Sequence, residues 1–371
     1  MIYQELKRRL FTKYVLFSII GIFLLTAGLN VLFMGKNENL PEVLKEEAVY
    51  SGEMTEDKLL LGLKKVRDEK SAEIRYQTLV ALIEGLVKVH PEVLYGENRI
   101  EDFPDTYAKN FYECWRQKSI AIIENYFKED QAKALEELNK VKTPFVSHPG
   151  YYYWNSGIDN LKTIYLIIIF MVTFFAAATY SDSMEDGSME IIYATKRGKR
   201  MMAVRLLPVM IYGLLLTLVA TLSTVTIIGS FTGLQALKSS LKVYALFSIG
   251  NFTLGGGILL MFVSELFGIL ALTTIMGWIS YKTANTNLTA AIGIGINIFY
   301  IIMALFIKIP WRFFQYILNA LPLAASQVIN EVPGYRFDMS LWRPYAVMIS
   351  MVVVFIVFGM LLNHAICREK I

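Results

Sequence analysis

Polar and apolar residues alternate along this chain on the scale of whole helices. Six stretches stay mostly apolar for about 20 residues, the length a helix needs to cross the hydrocarbon core of a bilayer. They are Tyr14–Met34, Ile164–Tyr180, Leu206–Ser230, Thr253–Ile279, Leu288–Ile307 and Tyr345–Ile366. The pattern predicts an all-α polytopic membrane protein with six transmembrane helices. The second stretch is short and is expected to borrow Lys162 and Ser181 at its ends. Lys238, Lys242 and Asn251 interrupt Leu234–Gly257, which reads as a surface-lying helix entering the fourth span at Gly255-Gly256-Gly257. Prolines 310, 322, 333 and 344 break an apolar stretch before the last span. Short re-entrant or interfacial helices fit there, because irregular backbone at membrane depth must be shielded by protein.

Between the first two spans, residues 36–160 carry apolar residues at helical spacing. Leu79, Leu82, Ile83, Leu86 and Val87 form one stripe that stops at His90-Pro91. Phe111, Trp115, Ile122 and Tyr126 form a second, and Ala134, Leu135, Leu138 and Val141 a third. Such stripes predict a small helical domain. The chain thus divides into 1–35 (an interfacial helix and the first span), 36–160 (the helical domain) and 161–371 (five further spans).

Composition supports the membrane reading. Hydrophobic residues make up 55% and charged residues 18%, against roughly a quarter charged in soluble domains. Residues 36–160 hold 17 Lys/Arg and 23 Asp/Glu, while the rest of the chain holds 19 and 9. An acidic segment is embedded in a basic, apolar remainder. Lys7, Arg8, Arg9 and Lys13 precede the first span, Lys196, Arg197, Lys199, Arg200 and Arg205 separate spans two and three, and Lys282, Arg368 and Lys370 follow spans four and six. Basic residues in short flanks favour the cytoplasm. Both termini are therefore expected on the cytoplasmic side of a plasma membrane and the acidic domain outside, with Cys114 and Cys367 on opposite sides. The first span is expected to stay uncleaved, since its apolar run is longer than that of a signal peptide. Tyr151-Tyr152-Tyr153-Trp154, Trp278, Tyr281, Trp342 and Tyr345 sit where headgroup-level aromatics are expected.

Catalytic patterns are missing. No G-x-x-x-x-G-K-[ST], H-E-x-x-H, G-x-S-x-G or C-x-x-C occurs. His90 and His148 lack partners at suggestive spacing and read as structural. The cytoplasmic loop after span two carries more information. It runs Ser181-Asp182-Ser183-Met184-Glu185-Asp186-Gly187-Ser188-Met189-Glu190-Ile191-Ile192-Tyr193-Ala194-Thr195-Lys196-Arg197-Gly198-Lys199-Arg200. Acids at its start and bases at its end suit a helix dipole.

This succession of acids, Gly187, Glu190, a hydrophobic patch and Lys-Arg-Gly-Lys-Arg resembles the permease subunits of ABC-2 type transporters. Tyr193-Ala194-Thr195 stands where those subunits usually have a Leu-rich, Ser/Thr-Pro stretch. The resemblance implies a coupling helix at about 181–200 that docks onto a separate ATPase subunit. Asp182, Glu185, Asp186, Glu190, Lys196, Arg197 and Arg200 would make the contact. It also implies that Ile2 to Phe11 is a membrane-surface helix, a role its Leu6, Leu10 and Phe11 stripe suits. ATP and Mg would sit on the partner, this chain binding no cofactor and no nucleic acid and performing no catalysis itself. A second permease copy or a related permease would complete the pathway.

Glu265 lies near the middle of span four, where a charge costs a few kcal/mol against lipid. It reads either as a proton, cation or substrate site or as a structural hydrogen-bonding group, with Asn297 of span five a candidate partner. Three functions compete: an exporter permease for peptides, antibiotics, lipids or a cation such as sodium; an ABC-driven mechanotransmission subunit that moves its external domain without transport; and a membrane enzyme.

Overall fold

The computed structural model describes residues 2–34, 40–68, 85–90, 103–126, 131–195, 198–248, 251–305, 307, 312–329 and 343–368. Helix α1 (Ile2–Leu10) turns at Phe11-Thr12 into α2 (Lys13–Met34). Helices α3 (Leu40–Val49), α4 (Glu56–Asp68), α5 (Asp105–Lys109), α6 (Phe111–Tyr126) and α7 (Gln131–Asn139) follow. A short antiparallel ribbon, β1 (Gly52–Glu53) with β2 (Val146–Ser147), closes this part, Gly52 standing opposite Ser147. Then come α8 (Tyr151–Ala177), the three short helices α9 (Ser181–Glu185), α10 (Ser188–Ala194) and α11 (Gly198–Val204), and the long α12 (Leu207–Thr232), α13 (Leu254–Thr283) and α14 (Thr286–Leu305). The chain finishes with α15 (Arg312–Asn319), a 3-10 turn at Pro322–Gln327, and α16 (Arg343–Arg368).

Among the described residues six helices, α2, α8, α12, α13, α14 and α16, are long and apolar enough to cross a membrane. Helix α13 is their centre and packs on α8, α12, α14, α16 and the Pro322–Gln327 turn. It is buried on every side from Ala271 to Gly277, the signature of a helix inside a bundle. The bundle's outer surface is also apolar: Leu24, Leu32, Leu222, Leu259, Val353 and Met360 are all exposed. A belt of that kind belongs in lipid rather than water. The chain is an all-α, multi-pass membrane protein.

Residues between α2 and α8 form a second core, built on Leu59, Leu63, Leu86, Phe103, Phe111, Trp115, Ile123 and Phe145. The stripes on α6 and α7 deliver Phe111, Trp115, Ala134 and Leu138 to it, as their spacing predicts. Leu86 is buried there, while Leu79, Leu82 and Ile83 lie outside the described residues. Leu246 and Phe247, from the connector between α12 and α13, complete the core, and the Trp115 indole donates to the Leu246 carbonyl at 3.0 Å. This region is thus bonded to the membrane bundle.

Three details differ from the sequence expectations. Helix α8 begins at Tyr151, well before Ile164, so the second span is not short. Tyr151, Tyr153 and Trp154 pack inward, into the hydrophobic core. The Gly150 backbone takes the left-handed conformation (φ 84°) that opens α8. The connector at 234–257 is not a surface helix. It folds as 3-10 turns at Gln235–Lys238 and Leu241–Val243, with a bridge from Ser240 to Thr253. Lys242 is buried within it, its ammonium on the Ser248 carbonyl, which an exposed amphipathic helix would not allow. Finally, the loop at 181–200 is no single helix. Gly187, at φ 73°, and the extended Thr195 break it into pieces.

Candidate functional site

The loop Ser181–Val204 is braced to the bundle by polar contacts at its inner face. The Ser280 hydroxyl accepts from the Tyr180 and Ser181 backbone N–H groups (3.0 and 2.9 Å) and donates to the Ala177 carbonyl (2.8 Å). These bonds fasten the end of α8 to α13. The Tyr180 hydroxyl reaches the Met202 carbonyl at 2.7 Å, and the Tyr193 and Tyr281 hydroxyls meet at 2.7 Å. Met189, Met202, Leu206, Leu362, Ala365 and Ile366 fill the space between. The loop, the chain's N-terminal helix and the end of α16 therefore share one end of the molecule.

Cations close that end of α8. Arg9 of α1 donates to the carbonyls of Ala178 and Thr179, both at 3.1 Å, and Arg205 reaches Thr179 at 3.3 Å. A helix C-terminus concentrates partial negative charge on such carbonyls. Buried Glu5 balances Arg9 at 3.2 Å and Arg8 at 3.1 Å. In sequence Arg9 and Arg205 are visible only as flanking positive charge. Their pairing across the chain needs the tertiary arrangement, although the Leu-Leu-Pro that follows Arg205 marks a helix start beside it.

The residues expected to meet an ATPase divide into groups. Glu185 is committed inside the chain: its carboxylate accepts from the Thr286 backbone N–H at 2.8 Å and hydroxyl at 3.2 Å, capping α14. Asp186 accepts from the Ser188 backbone N–H at 2.8 Å and so opens α10. Hydrogen bonds from Ser188 hold this exposed carboxyl below the usual carboxylate range. Asp182 and Glu190 are exposed, and beside Glu190 the Ile191 side chain is 71% exposed. Helix α10 thus presents a carboxylate and an isoleucine outward while Met189 anchors it inward. Lys196 and Arg197 lie outside the described residues, and Arg200 stands on α11 with its side chain outside them.

Within the bundle, Glu265 is fully buried, and neither carboxylate oxygen has a hydrogen-bond partner among the described residues. Asn297 is not its partner. The Asn297 amide donates to the Thr173 hydroxyl at 3.0 Å, joining α14 to α8. Gly293, one turn earlier, permits the approach, since an added Cβ would sit 2.5 Å from the Thr173 side chain. Between α12 and α13 an apolar groove of about 280 Å³ lies among Leu218, Thr221, Leu222, Leu237, Ile258 and Phe262. Among the described residues no cluster of three His, Cys, Asp or Glu side chains is placed to hold a metal ion.

A scan against protein-family models finds no match, and no curated protein matches the chain.

Proposed function

We propose that this chain is the permease subunit of an ATP-driven exporter of the ABC-2 type, coupled to a separate ATPase polypeptide. The observation that carries the reading is the construction of the loop Ser181–Val204. It is held by hydrogen bonds to α8, α13 and α14 on one side and presents Asp182, Glu190 and Ile191 on the other. A loop built this way transmits a push at its surface into three membrane-spanning helices at once. The basic residues flanking α1, α11 and α16 support a cytoplasmic position for this end, where ATP is found, and an external one for the helical domain. The missing phosphate loop fits a chain whose motor is another subunit.

A second reading draws on one further contact. Glu47 of α3 accepts from the Gly150 backbone N–H at 2.6 Å, joining the helical domain to the start of α8. The far end of α8 is fixed to the loop. A displacement of α8 would therefore move the domain, as a mechanotransmission subunit requires. The permease reading is preferred because a six-span bundle with a polar group at its centre is more than a lever needs.

The test is purification of the tagged full chain from native membranes in mild detergent. A phosphate-loop ATPase should accompany it in stoichiometric amount. Its absence under conditions that keep the bundle folded would remove both readings together.

A further inference from the structure

Glu265 is the one carboxylate on α13, and its surroundings offer it no counterpart. The hydroxyls of its neighbour Ser264 and of the Tyr165–Thr221 pair have committed their protons. Ser264 donates to the Ala325 carbonyl at 3.0 Å. Thr221 donates to the Thr217 carbonyl at 2.7 Å, so the Tyr165 hydroxyl, 2.7 Å from Thr221, gives its own proton to Thr221. Tyr165 lies within electrostatic reach of Glu265 but cannot donate to it at the same time.

Among the described residues packed on α13, the charged groups lie away from Glu265: the exposed Lys238 is on the Gln235–Lys238 turn, which meets α13 at Gly255, and the exposed Asp182 and Glu185 are on α9, which meets it at Ser280. Helix α12 contains no titratable side chain except Tyr212, which packs on Tyr14 and Phe175. The Pro322–Gln327 turn has none. Helix α14 has only Tyr300, and α16 carries Tyr345 and Arg343 near one end and His364, Cys367 and Arg368 near the other. On α8, Lys162 lies a turn away from Tyr165 and bonds the Tyr244 hydroxyl. The helix's own Tyr281 and Lys282 lie more than four turns from Glu265, at its end. An ionised carboxylate with no partner is not stable in such a place. A metal ion would need several converging oxygens, and around Glu265 the described residues supply one carboxylate.

The side of α13 that carries Glu265 also meets irregular backbone. Gly268, one turn on, packs so closely on the Pro322–Gln327 turn that an added Cβ would lie 2.6 Å from the Ala325 Cβ. A short 3-10 turn is easier to displace than a spanning helix, because few of its backbone groups are tied by its own hydrogen bonds.

We propose that Glu265 is a proton-binding site at the centre of the bundle: the carboxyl holds a proton in this conformation and releases it to water when movement of the Pro322–Gln327 turn wets α13. The bound and released forms differ by one proton and one negative charge on the carboxyl. Interconversion of the two conformations is thereby linked to pH. The inference is independent of any ATPase partner.

The test uses dicyclohexylcarbodiimide, a lipophilic reagent, on the purified full chain in detergent. A neutral carboxyl gives its proton to a carbodiimide nitrogen, and the carboxylate adds to the central carbon; rearrangement leaves a stable acylurea. Peptide mass spectrometry should find the adduct on Glu265 at neutral pH, unchanged by excess sodium, potassium or calcium, and falling in strongly alkaline buffer. The E265Q variant should lose it and keep the wild-type elution profile. Three results would overturn the proposal: no adduct on wild-type Glu265, an adduct suppressed by one of the metal ions, or equal labelling of Glu265 by a water-soluble carbodiimide. The measurement is made on the wild-type chain, so a poorly folding variant does not weaken it.

Discussion

Single residues decide how the parts of this molecule are joined. Glu47 is 7% exposed, and burial pushes its carboxyl up to about 7 while the Gly150 N–H acts in the opposite direction. The native state therefore binds more protons at this site than the unfolded chain between roughly pH 4.5 and 7, and stability falls as pH rises through that window. A shift of this size corresponds to about 3 kcal/mol. Glu47→Gln should keep the acceptor for Gly150 and remove the titration. Thermal melts across this pH range should slope downward for the wild type relative to the variant, and parallel curves would show that Glu47 is not buried in this way. None of this was legible in sequence, where Glu47 is one acid among 23 in an acidic segment. Burial of an individual charge depends on which helix is laid over it. Glu265 is the opposite case. A lone acid inside a long apolar run announces its own burial, and only the lack of a partner had to come from the structure.

At the scale of elements, hydrophobic length is enough to find the six described helices that are long and apolar enough to span, because the bilayer fixes that length and little else competes with it. Boundaries were less legible. The start of α8 at Tyr151 was hidden because Asn155, Asp159 and Lys162 read as loop, whereas in the fold they meet Val243, Tyr244 and each other across helix α8. The loop between α8 and α12 stands out in sequence by its charge pattern, but its division at Gly187 and Thr195 does not. One helix and three helices present different faces: the division lets the exposed Glu185 carboxylate cap α14 and leaves Ile191 outward. Ile191→Asp should therefore leave the melting temperature almost unchanged, as expected for an exposed position. It should weaken ATPase co-purification by roughly tenfold or more if the isoleucine is an anchoring contact. Undiminished ATPase recovery would move the docking surface elsewhere on the loop.

For the whole molecule, the fold connects a surface at one end to a helical domain at the other through α8 and α13. Orientation is testable with a membrane-impermeant maleimide on chains that carry a single cysteine. Cys114 is only partly exposed, so Glu113→Cys is the better outer probe, and the exposed Cys367 serves as the inner one. In intact cells the first should label and the second should label only after permeabilisation. The reverse pattern would invert the assignment of sides. The central claim is that α10 is the contact through which a separate ATPase drives the bundle. It is tested most directly by placing a photo-crosslinking amino acid at position 191 and irradiating native membranes. The account predicts a single dominant crosslinked species whose partner contains a phosphate-loop ATPase, and no such species from a control position such as Leu259 on the lipid-facing side of α13. Crosslinks from position 191 to lipid alone, or to a protein without an ATPase fold, would contradict it.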